Sequence, residues 1–431
     1  MRNLLVIIIL LLLSSLLFSA PGDLIWRYKT DNYVNSTPCV SAGVVFVGGY
    51  DNYLYAINCS TGALKWRYKT GNNIWSSSCV SAGVVFIGSN DNYLYAINCS
   101  DGTLKWRYGT GGYIKSSPCV SDGVVYIASC DANLYAINCS DGTIRWKYKI
   151  GSYAESSPCV SGGVVYVGDS YWDDRMASYY GHLVAVNCSD GSGKWRSYLV
   201  SYIIFSSPRV SDGVVYIGVG NGLSAINCSD GTHKWNYQTG SNIHSSPCIL
   251  DGAVYIGSCD NYLYAINCSV GSLKWRYQTG NDVLSSPCIS DGVVYFGSLD
   301  AYLYAINYSD GSLKWRYQTG GGWSSPCVSD GVVYIGSGDT YLYAIETYEY
   351  GGFRDNKSAS YIPAKSFSIS PNPFSTCLSL SLPSSGAVYS LTGKLIMKLD
   401  KGKHELDTSK WIEGVYIVKS GKDCKRVVKT N

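Results

Sequence analysis

Cysteine dominates the side chains of this 431-residue chain that could do chemistry, with 17 copies. Thiols can pair as disulfides or bind metal ions, and both uses depend on spacing. No Cys-x-x-Cys motif occurs, and the four histidines, His182, His233, His244 and His404, are scattered along the chain. The sequence therefore predicts no metal site.

Most of the cysteines recur at two fixed places in a repeating sequence. The first place follows Ser-Ser-Pro or a variant of it and holds Cys39, Cys79, Cys119, Cys159, Cys248, Cys288 and Cys327. The second place lies in Asn-Cys-Ser and holds Cys59, Cys99, Cys139, Cys188, Cys228 and Cys268. This regularity indicates an internal repeat whose elements must position every candidate side chain.

Tryptophan marks the same repeat. Eight of the 12 tryptophans recur at one place in it, at spacings of 40, 40, 40, 49, 40, 40 and 40 residues; they are Trp26, Trp66, Trp106, Trp146, Trp195, Trp235, Trp275 and Trp315. Each unit divides into four short β-rich runs, which in the second unit are Ser76–Ser81, Val84–Ser89, Tyr93–Cys99 and Thr103–Tyr108. Pairs such as Asp122-Gly123 and Asp101-Gly102 join consecutive runs and supply the positive φ angles of two-residue hairpins. Four antiparallel strands per unit predict one blade of a β-propeller.

The two ends of the repeat array predict how the ring closes. The last unit stops at Tyr341–Ile345 and lacks its fourth strand, while Gly22–Trp26 matches the missing strand. We therefore expect an all-β chain, with an eight-bladed β-propeller closed by an N-terminal strand and followed by a small C-terminal β-sandwich. A seven-bladed ring would leave one unit over. Closure removes the free strand edges of the array.

The repeated tryptophans are interpreted as structural wedges between neighbouring blades. A functional residue rarely recurs identically in every blade, which argues against a ligand platform made of these eight indoles. A fully buried indole removes on the order of 200 Å² from water. At about 25 cal/mol per Å² this is worth roughly 5 kcal/mol as an upper bound.

The repeat resembles a known family. The run Leu-Tyr-Ala-Ile-Asn-x-x-x-Gly-x-Leu-x-Trp, followed by Ser-Ser-Pro-x-Val and Gly-Val-Val-Tyr-Ile-Gly-Ser, is similar to the pyrroloquinoline-quinone-like (PQQ-like) propeller repeat with its tryptophan docking motif. The resemblance covers about residues 23–346. It implies the fold, and the family spans quinoprotein dehydrogenases, a propeller lipoprotein of the outer-membrane assembly machinery and surface proteins without known chemistry.

The resemblance makes PQQ with calcium the alternative to the prediction that the chain has no cofactor. It implies that the dehydrogenases place two adjacent cysteines over the cofactor, and this chain has no Cys-Cys pair. The aspartates that could bind calcium recur at one hairpin turn, where they favour turn formation. They are Asp51, Asp91, Asp131, Asp260, Asp300 and Asp339. No cofactor is predicted, and the chain is not predicted to be an enzyme.

The two repeated cysteine positions are not expected to pair within a blade. They lie on the first and third strands, so two strand spacings of about 4.8 Å separate them. That separation exceeds the roughly 7 Å Cα limit for a disulfide. The resembling repeat usually has Ala at both places, so the cysteines are interpreted as small buried hydrophobic residues. Bridges between blades stay open.

A binding site is predicted where the repeat varies. The most variable position precedes Ser-Ser in each innermost strand and holds Asn35, Trp75, Lys115, Glu155, Phe205, His244, Leu284 and Trp323. In a closed ring these residues would circle the mouth of the central channel, and their mixture suits a small polar or aromatic ligand, or a peptide. Neutral drift of a solvent-facing loop is the alternative.

A nine-residue insertion in the fourth unit is the second irregularity. It lies within Asp169–His182, between the second and third strands, and should share a face with the variable ring. Its candidate contact residues for carbohydrate or protein are Tyr171, Trp172, Asp173, Asp174, Arg175, Tyr179 and Tyr180. Asp173-Asp174 lacks the spaced oxygen ligands of a calcium loop.

The two termini indicate export. Residues 1–20 read as a signal peptide with Arg2 before the 14-residue apolar stretch Leu4–Leu17, which is short for a membrane span. An uncleaved anchor is the alternative. Residues 347–366 read as a linker. Residues 367–431, with Pro-Asn-Pro-Phe and Gly-Val-Tyr-Ile-Val, resemble the C-terminal sorting domain of type IX secretion substrates.

The sequence therefore predicts a secreted or cell-surface protein whose propeller, residues 23–346, is a non-catalytic binding or scaffolding module. The alternatives are a quinoprotein oxidoreductase and a carbohydrate-binding exoprotein. The expected partners are the secretion machinery, through the C-terminal domain, and an extracellular protein or glycan. A net charge of only +3 gives no reason to expect nucleic-acid binding, and no transmembrane span is expected in the mature chain.

Overall fold

The computed structural model describes residues 20–151, 155–174, 178–200 and 204–347, and within the C-terminal region residues 368–370, 377–382, 386–390, 395–400, 402–407, 414–420 and 423–429. The predicted signal peptide, apart from Ala20, and the predicted linker, apart from Thr347, lie outside the described residues.

Eight four-stranded antiparallel sheets form the propeller, which confirms the predicted fold class. The strands of blades 1 to 4 are as follows. Blade 1 holds β2 (Cys39–Ser41), β3 (Val44–Gly48), β4 (Tyr53–Asn58) and β5 (Leu64–Lys69); blade 2 holds β6 (Cys79–Ser81), β7 (Val84–Gly88), β8 (Tyr93–Asn98) and β9 (Leu104–Gly109); blade 3 holds β10 (Cys119–Ser121), β11 (Val124–Ser129), β12 (Asn133–Asn138) and β13 (Ile144–Lys149); blade 4 holds β14 (Cys159–Ser161), β15 (Val164–Asp173), β16 (Ser178–Asn187) and β17 (Gly193–Val200).

The other four blades repeat the pattern. Blade 5 holds β18 (Arg209–Ser211), β19 (Val214–Val219), β20 (Gly222–Asn227) and β21 (His233–Gln238); blade 6 holds β22 (Cys248–Leu250), β23 (Ala253–Gly257), β24 (Tyr262–Asn267) and β25 (Leu273–Gln278); blade 7 holds β26 (Cys288–Ser290), β27 (Val293–Gly297), β28 (Tyr302–Asn307) and β29 (Leu313–Gln318); blade 8 holds β30 (Cys327–Ser329), β31 (Val332–Gly336) and β32 (Tyr341–Glu346). Strand β1 (Leu24–Lys29) completes blade 8, in the order β1-β32-β31-β30.

The ring is closed by strands from opposite ends of the array, as the sequence predicts. The backbone N–H of Thr30 donates to the carbonyl oxygen of Thr340 at 2.9 Å. Each innermost strand contacts the innermost strands of the two neighbouring blades, and β2 contacts β30. Eight blades in one closed ring exclude the seven-bladed alternative.

The core lies between the faces of adjacent blades. Val44 and Phe46 of blade 1 pack with Val85 and Ile87 of blade 2, and equivalent clusters join the later blades. The second and third strands of each blade are buried on both faces, so their apolar residues form continuous runs instead of alternating with polar ones. All five residues of β3, for example, are buried.

The tryptophan side chains lie between blades. In seven of them the indole Nε1 donates to a carbonyl oxygen of the next blade, as from Trp66 to Cys99 at 3.0 Å. The accepting carbonyl lies at the outer turn, which joins the third and fourth strands of a blade. A Cβ on Gly102, which has a φ of +75°, would lie 2.7 Å from the Trp66 ring. Glycine is therefore required at this position for two reasons: the backbone has a positive φ, and the indole leaves no room for a Cβ atom. The indoles are half-buried, so each contributes less than the full-burial value.

The inner turn of a blade, which joins its first and second strands, differs in conformation from the outer turn, which joins its third and fourth strands. At the inner turn of blade 3, Asp122 and Gly123 have φ values of 50° and 75°, as the two-residue prediction requires. At the outer turn of blade 2, Gly102 alone has a positive φ, and Asn98 N–H donates to Thr103 O across four residues. The prediction of two-residue outer hairpins was wrong, because Asn98 and Thr103 pair outside the Asp-Gly dipeptide.

The C-terminal region forms two sheets. One has the order β33 (Ser368–Ser370), β34 (Cys377–Leu382), β37 (Gly402–Asp407); the other has the order β36 (Leu395–Leu399), β35 (Gly386–Ser390), β38 (Gly414–Ser420), β39 (Asp423–Lys429). Five of these strands match apolar runs in the sequence. The sequence gives little sign of β37, because Gly-Lys-His-Glu-Leu-Asp is polar and poor in β-branched residues.

Candidate functional site

Two anchored neighbours position the variable-ring residue in six of the eight blades, where a buried Val or Ile precedes it and a buried Ser follows it. In blade 8 the preceding residue is Gly322, and in blade 4 it lies outside the described residues. In blade 2 the ring residue Trp75 follows Ile74, which is fully buried and lies against Gly48 of blade 1. A Cβ on Gly48 would lie 2.3 Å from Ile74 Cγ2, so the close approach requires glycine. Trp75 precedes Ser76, whose buried Oγ accepts from Gly88 N–H at 3.1 Å. The side chain between two such anchors points to a fixed place in the ring.

The serine anchor is present in all eight blades. The Oγ of Ser36, Ser76, Ser116, Ser156, Ser206, Ser245, Ser285 and Ser324 each accepts from a backbone N–H of the second strand in its own blade, at 2.8 to 3.1 Å. All eight side chains are buried. The anchor that follows the ring residue is therefore the same in every blade, while the ring side chain changes from blade to blade.

The structure brings all eight ring residues together around one cavity of about 650 Å³. They are Asn35, Trp75, Lys115, Glu155, Phe205, His244, Leu284 and Trp323. The sequence predicts this placement from the repeat alone. The placement of these side chains does not test ligand binding, which stays a prediction.

The ring residues of blades 1 to 4 form a polar arc. Lys115 Nζ lies 2.6 Å from Glu155 Oε1, and both side chains are mostly buried, with exposed fractions of 26% and 21%. The same ammonium lies 5.1 Å from the centre of the Trp75 ring, within cation–π range. Tyr50 also packs against Trp75, with ring centres 5.3 Å apart. This arc offers charges and an indole held in a connected row.

The ring residues of blades 5 to 8 form an apolar arc. Phe205 stacks on His244 with ring centres 4.4 Å apart, and His244 lies 6.5 Å from Trp323. Leu284 lies between the last two in ring order, and Trp323 is half exposed. The cavity mouth therefore has one polar side and one apolar side.

Two buried nitrogen atoms at the ring have no hydrogen-bond partner among the described residues. They are Trp75 Nε1, which can only donate, and His244 Nδ1. An unpaired buried polar atom costs about 1–3 kcal/mol, so such atoms are stabilised when a ligand supplies the missing partner. Burial lowers the pKa of His244, while Asp282 and Glu155 act in the opposite direction. The imidazole is consequently neutral at pH 7.

A belt of hydroxyl groups lies one layer deeper in the cavity. The second serine of each Ser-Ser pair, or Thr37 in blade 1, lines the cavity wall. Each serine Oγ accepts the backbone N–H of the equivalent residue in the preceding blade, as Ser117 Oγ accepts from Ser77 N at 2.9 Å. Sequence reasoning missed this belt, although the constant second serine of the repeat is its signal.

The first cysteine position also faces the cavity. Cys39, Cys79, Cys119 and Cys288 line it together with Arg209, which replaces cysteine in blade 5. These thiols are half-buried, not fully buried as the sequence interpretation expected. The reason is that the innermost strands have one face toward the cavity instead of a neighbouring blade. Within the described residues, the cysteines of this position form no disulfide; they are Cys39, Cys79, Cys119, Cys159, Cys248, Cys288 and Cys327.

The insertion of blade 4 is a long hairpin and not an irregular loop. Strands β15 and β16 pair over their whole length, with Tyr171 opposite Tyr180 and Trp172 opposite Tyr179. Tyr171 stacks on Tyr180 at 5.7 Å and on His182 at 5.3 Å. The side chains of Trp172 and Asp174 are exposed. Arg175 and the side chains of Asp173 and Tyr179 lie outside the described residues.

A buried charged cluster supports that hairpin. The Asp169 side chain is fully buried, and its carboxylate lies 3.1 Å from His182 Nδ1 and 3.3 Å from an Arg196 guanidinium nitrogen. It also accepts from Gly151 N–H at 2.9 Å. The carboxylate is therefore fully partnered and stabilises the hairpin base. None of the insertion residues that the structure describes is among those that line the ring cavity.

The donor set at the cavity does not fit a calcium–quinone site. Calcium takes six to eight oxygen ligands, several of them carboxylates, and the carboxylate lining this cavity, Glu155, is paired with Lys115. The repeated aspartates serve their own hairpins, as Asp51 accepts from Tyr55 Oη at 2.6 Å. Within the described residues there is also no group of three or more His, Cys, Asp or Glu side chains arranged to hold a metal ion.

Comparison with protein families matches both parts of the chain. The family model described as outer membrane protein assembly factor BamB matches residues 16–78, 69–202 and 243–349. The model described as secretion system C-terminal sorting domain matches residues 368–430. In a search of curated proteins, no sequence matches the chain.

Solved structures share the fold at low sequence identity. BamB from Moraxella catarrhalis is 16% identical, with a TM-score of 0.63 over 75% of this chain and 99% of that chain. The computationally designed Ika8 protein is 12% identical, with a TM-score of 0.66 over 75% and 99%. Quinohemoprotein alcohol dehydrogenase from Comamonas testosteroni is 14% identical, with a TM-score of 0.63 over 80% and 79%. The same propeller therefore occurs in proteins with different activities.

Proposed function

The chain belongs to the propeller family described as outer membrane protein assembly factor BamB, and we propose that within this family it acts as a non-catalytic binding module at the cell exterior. Its C-terminal sorting domain marks it as a type IX secretion substrate that is exported to the cell surface or released. No helix in the described part of the chain is long and apolar enough to cross a membrane.

One observation carries the proposal. Eight ring side chains of seven types line a single cavity, while the serine anchor beside each of them is the same in every blade. The ring joins an apolar arc to a polar arc and holds two buried nitrogen atoms that lack partners among the described residues. Such a mouth suits an amphipathic guest, and we propose a peptide segment or a small ligand with one apolar and one polar side.

The absence of a fitting donor set for calcium supports binding over oxidation. A quinoprotein would need carboxylate ligands that the cavity does not supply within the described residues, since Glu155 is neutralised by Lys115. The neighbouring dehydrogenase structures are under 25% identical and support the fold alone. Added PQQ with calcium should therefore cause no absorbance shift and no dye-linked alcohol oxidation.

The binding proposal is tested by selection on the full-length secreted protein. A random peptide library is panned on the immobilised chain, and recovered peptides are measured against the variants Trp75→Ala and Trp323→Ala. Each variant should weaken the recovered peptides at least about tenfold, which is the effect of losing roughly 1.4 kcal/mol. The matched control is Leu104→Ala, because Leu104 is exposed on an outer strand and away from the cavity.

A glycan array separates the carbohydrate alternative. Binding that depends on Trp172, on the blade 4 hairpin, and not on Trp75 or Trp323 would overturn the assignment of function to the ring. Peptides that bind the two ring variants as tightly as the unchanged chain would overturn it as well.

A further inference from the structure

The first cysteine position forms a second ring, which we call the thiol ring. Its members begin the eight innermost strands and are Cys39, Cys79, Cys119, Cys159, Arg209, Cys248, Cys288 and Cys327. The innermost strands contact one another in a closed circle. From blade 6 through blade 8 to blade 4 the ring is an unbroken run of seven thiols, and the guanidinium of blade 5 separates its two ends.

Neighbouring thiols of this ring lie on innermost strands that contact each other, and two residues before Cys79 and Cys119 the backbone N–H of Ser77 donates to Ser117 Oγ at 2.9 Å. Burial raises the pKa of the Cys39 thiol, and the backbone N–H of Val80, the residue after Cys79, acts on that pKa in the opposite direction. The same relation joins Cys79 to Val120 of the next blade. A charge on Cys327 would raise the pKa of Cys39, across the junction of blades 8 and 1. Cys39 and Cys79 therefore each lie beside the innermost strand of the blade that follows.

The ring thiols are protonated at neutral pH. Burial raises the pKa of Cys39, Cys79 and Cys119 to about 11. Cys39, Cys79, Cys119 and Cys288 line the cavity, from which small solutes can reach them. Among the described residues no three or more His, Cys, Asp or Glu side chains are grouped to hold one ion, which disfavours tetrahedral zinc coordination. Two thiols from adjacent blades are the unit that the geometry offers.

We propose that the thiol ring binds soft monovalent metal ions, Cu(I) or Ag(I), each held between the thiols of two adjacent blades. Soft ions select sulfur ligands, and they need only two of them in a linear arrangement. Each ion forms two metal–sulfur bonds and displaces two thiol protons, which pass to water. The metal keeps its oxidation state, so no electron acceptor or donor is needed.

Arg209 identifies the pair that loads first. An ion between two thiolates leaves one negative charge on the pair, and the guanidinium can compensate that charge. Arg209 begins β18, the innermost strand that contacts β14 with its Cys159. Burial raises the pKa of Cys159, and the charge of Arg209 acts in the opposite direction on Cys159 and on Cys119. The Cys119–Cys159 pair is therefore the first site, and the seven ring thiols provide at most three separate pairs.

The test uses the full-length secreted chain and Ag(I) as the probe, since Ag(I) does not change oxidation state in air. Native mass spectrometry with excess N-acetylcysteine as a monothiol competitor counts the ions that paired thiols retain. We expect up to three ions for each chain, with two protons released for each ion. The variant Cys119→Ala/Cys159→Ala should lose one ion, and Arg209→Gln should weaken the first ion about tenfold.

The matched control is Cys99→Ala/Cys139→Ala, which removes two thiols of the outer turns, outside the cavity lining. It should retain the full number of ions. An unchanged ion count in the ring variant, or an equal loss in the control, would overturn the proposal, provided that melting curves show both variants folded. The proposal would also be overturned if the purified chain held the ring thiols as disulfides between blades. Such bridges would be seen as a mass deficit of two hydrogens for each bridge. Peptide binding by the variable ring is measured in a separate experiment, and its outcome does not depend on metal binding by the thiol ring.

Discussion

The indole Nε1 of Trp26 donates a hydrogen bond of 2.7 Å to the carbonyl oxygen of Cys59. This contact joins the closing strand β1 of blade 8 to the outer turn of blade 1. The same contact in the interior of the array, such as Trp106 to Cys139 at 3.0 Å, joins blades that are already consecutive in the chain. The Trp26 bond therefore belongs to the closure that makes the array a ring.

Deletion of Gly22–Thr30 from the mature chain should lower the melting temperature strongly. The deletion removes the fourth strand of blade 8 and the Trp26 indole, whose packing alone is worth up to about 5 kcal/mol. Trp26→Phe and Trp106→Phe serve as matched variants, because each removes an indole hydrogen bond worth about 1 kcal/mol. Differential scanning calorimetry that finds no change after the deletion would contradict the closed ring.

Tyr304→Phe should destabilise the propeller by about 1.5–3 kcal/mol, the usual worth of a hydrogen bond to a charged group. Tyr304 Oη donates to Asp300 Oδ2 at 2.6 Å, and Asp300 also accepts from Gly280 N–H at 2.7 Å. Blade 5 has Ser224 at the tyrosine position, so Ser224→Ala is the matched control and should cost less. Urea unfolding measures both, and equal costs would show that the Tyr–Asp bond contributes nothing specific.

Lys115→Met should cost about 1–3 kcal/mol, since it leaves the mostly buried Glu155 carboxylate without its partner. Lys115→Met/Glu155→Leu should recover much of that loss, because an apolar pair can replace a buried ion pair at little cost. A double-mutant cycle by urea unfolding gives the coupling. Additive effects of Lys115→Met and Glu155→Leu would mean that the two groups do not interact in solution.

Stability should fall between neutral and mildly acidic pH partly through His244. Burial depresses the folded-state pKa of His244 below its ordinary value of about 6.5. The unfolded chain therefore takes up a proton first as the pH falls, and the stability present above about 6.5 is lost down to the folded-state pKa. Asp282 and Glu155 reduce the size of this effect.

His244→Phe removes this titration and keeps an aromatic ring against Phe205. Its urea midpoint should change less between pH 7.5 and 5.5 than that of the unchanged chain. His233→Phe is the control at an exposed histidine on an outer strand. The same pH dependence in His244→Phe and in the unchanged chain would exclude His244 as the source.

The repeat made the architecture predictable, and its local signals explain where prediction succeeded. Asp122-Gly123 takes the positive φ values of a two-residue turn because those values depend on the two residues themselves. The blade 8 closure followed from matching Gly22–Trp26 to the strand that Tyr341–Ile345 lacks. The outer turns were misjudged, since their pairing depends on Asn98 and Thr103 rather than on the dipeptide between them.

The candidate site was predictable in membership but not in contacts. A closed ring of repeats places the variable residue of every blade at the same radius, so the circle of eight residues follows from the period. Which of them touch depends on side-chain conformations across blades, as in the stack of Phe205 on His244. The half-burial of the inner cysteines was missed, because a repeat does not reveal that its first strand has one face toward a cavity.

The amino-acid sequence by itself determined the number of blades, the order of the strands and the means of closure, because these depend on a period, on turn residues and on apolar runs that are local in the chain. Tertiary structure decided the rest. It paired Lys115 with Glu155, left Trp75 Nε1 and His244 Nδ1 without protein partners among the described residues, and set Arg209 beside Cys159. Each of the two pairs joins residues tens of positions apart in the chain. The burial of a side chain and its distance from a residue of another blade are set only once the ring has closed.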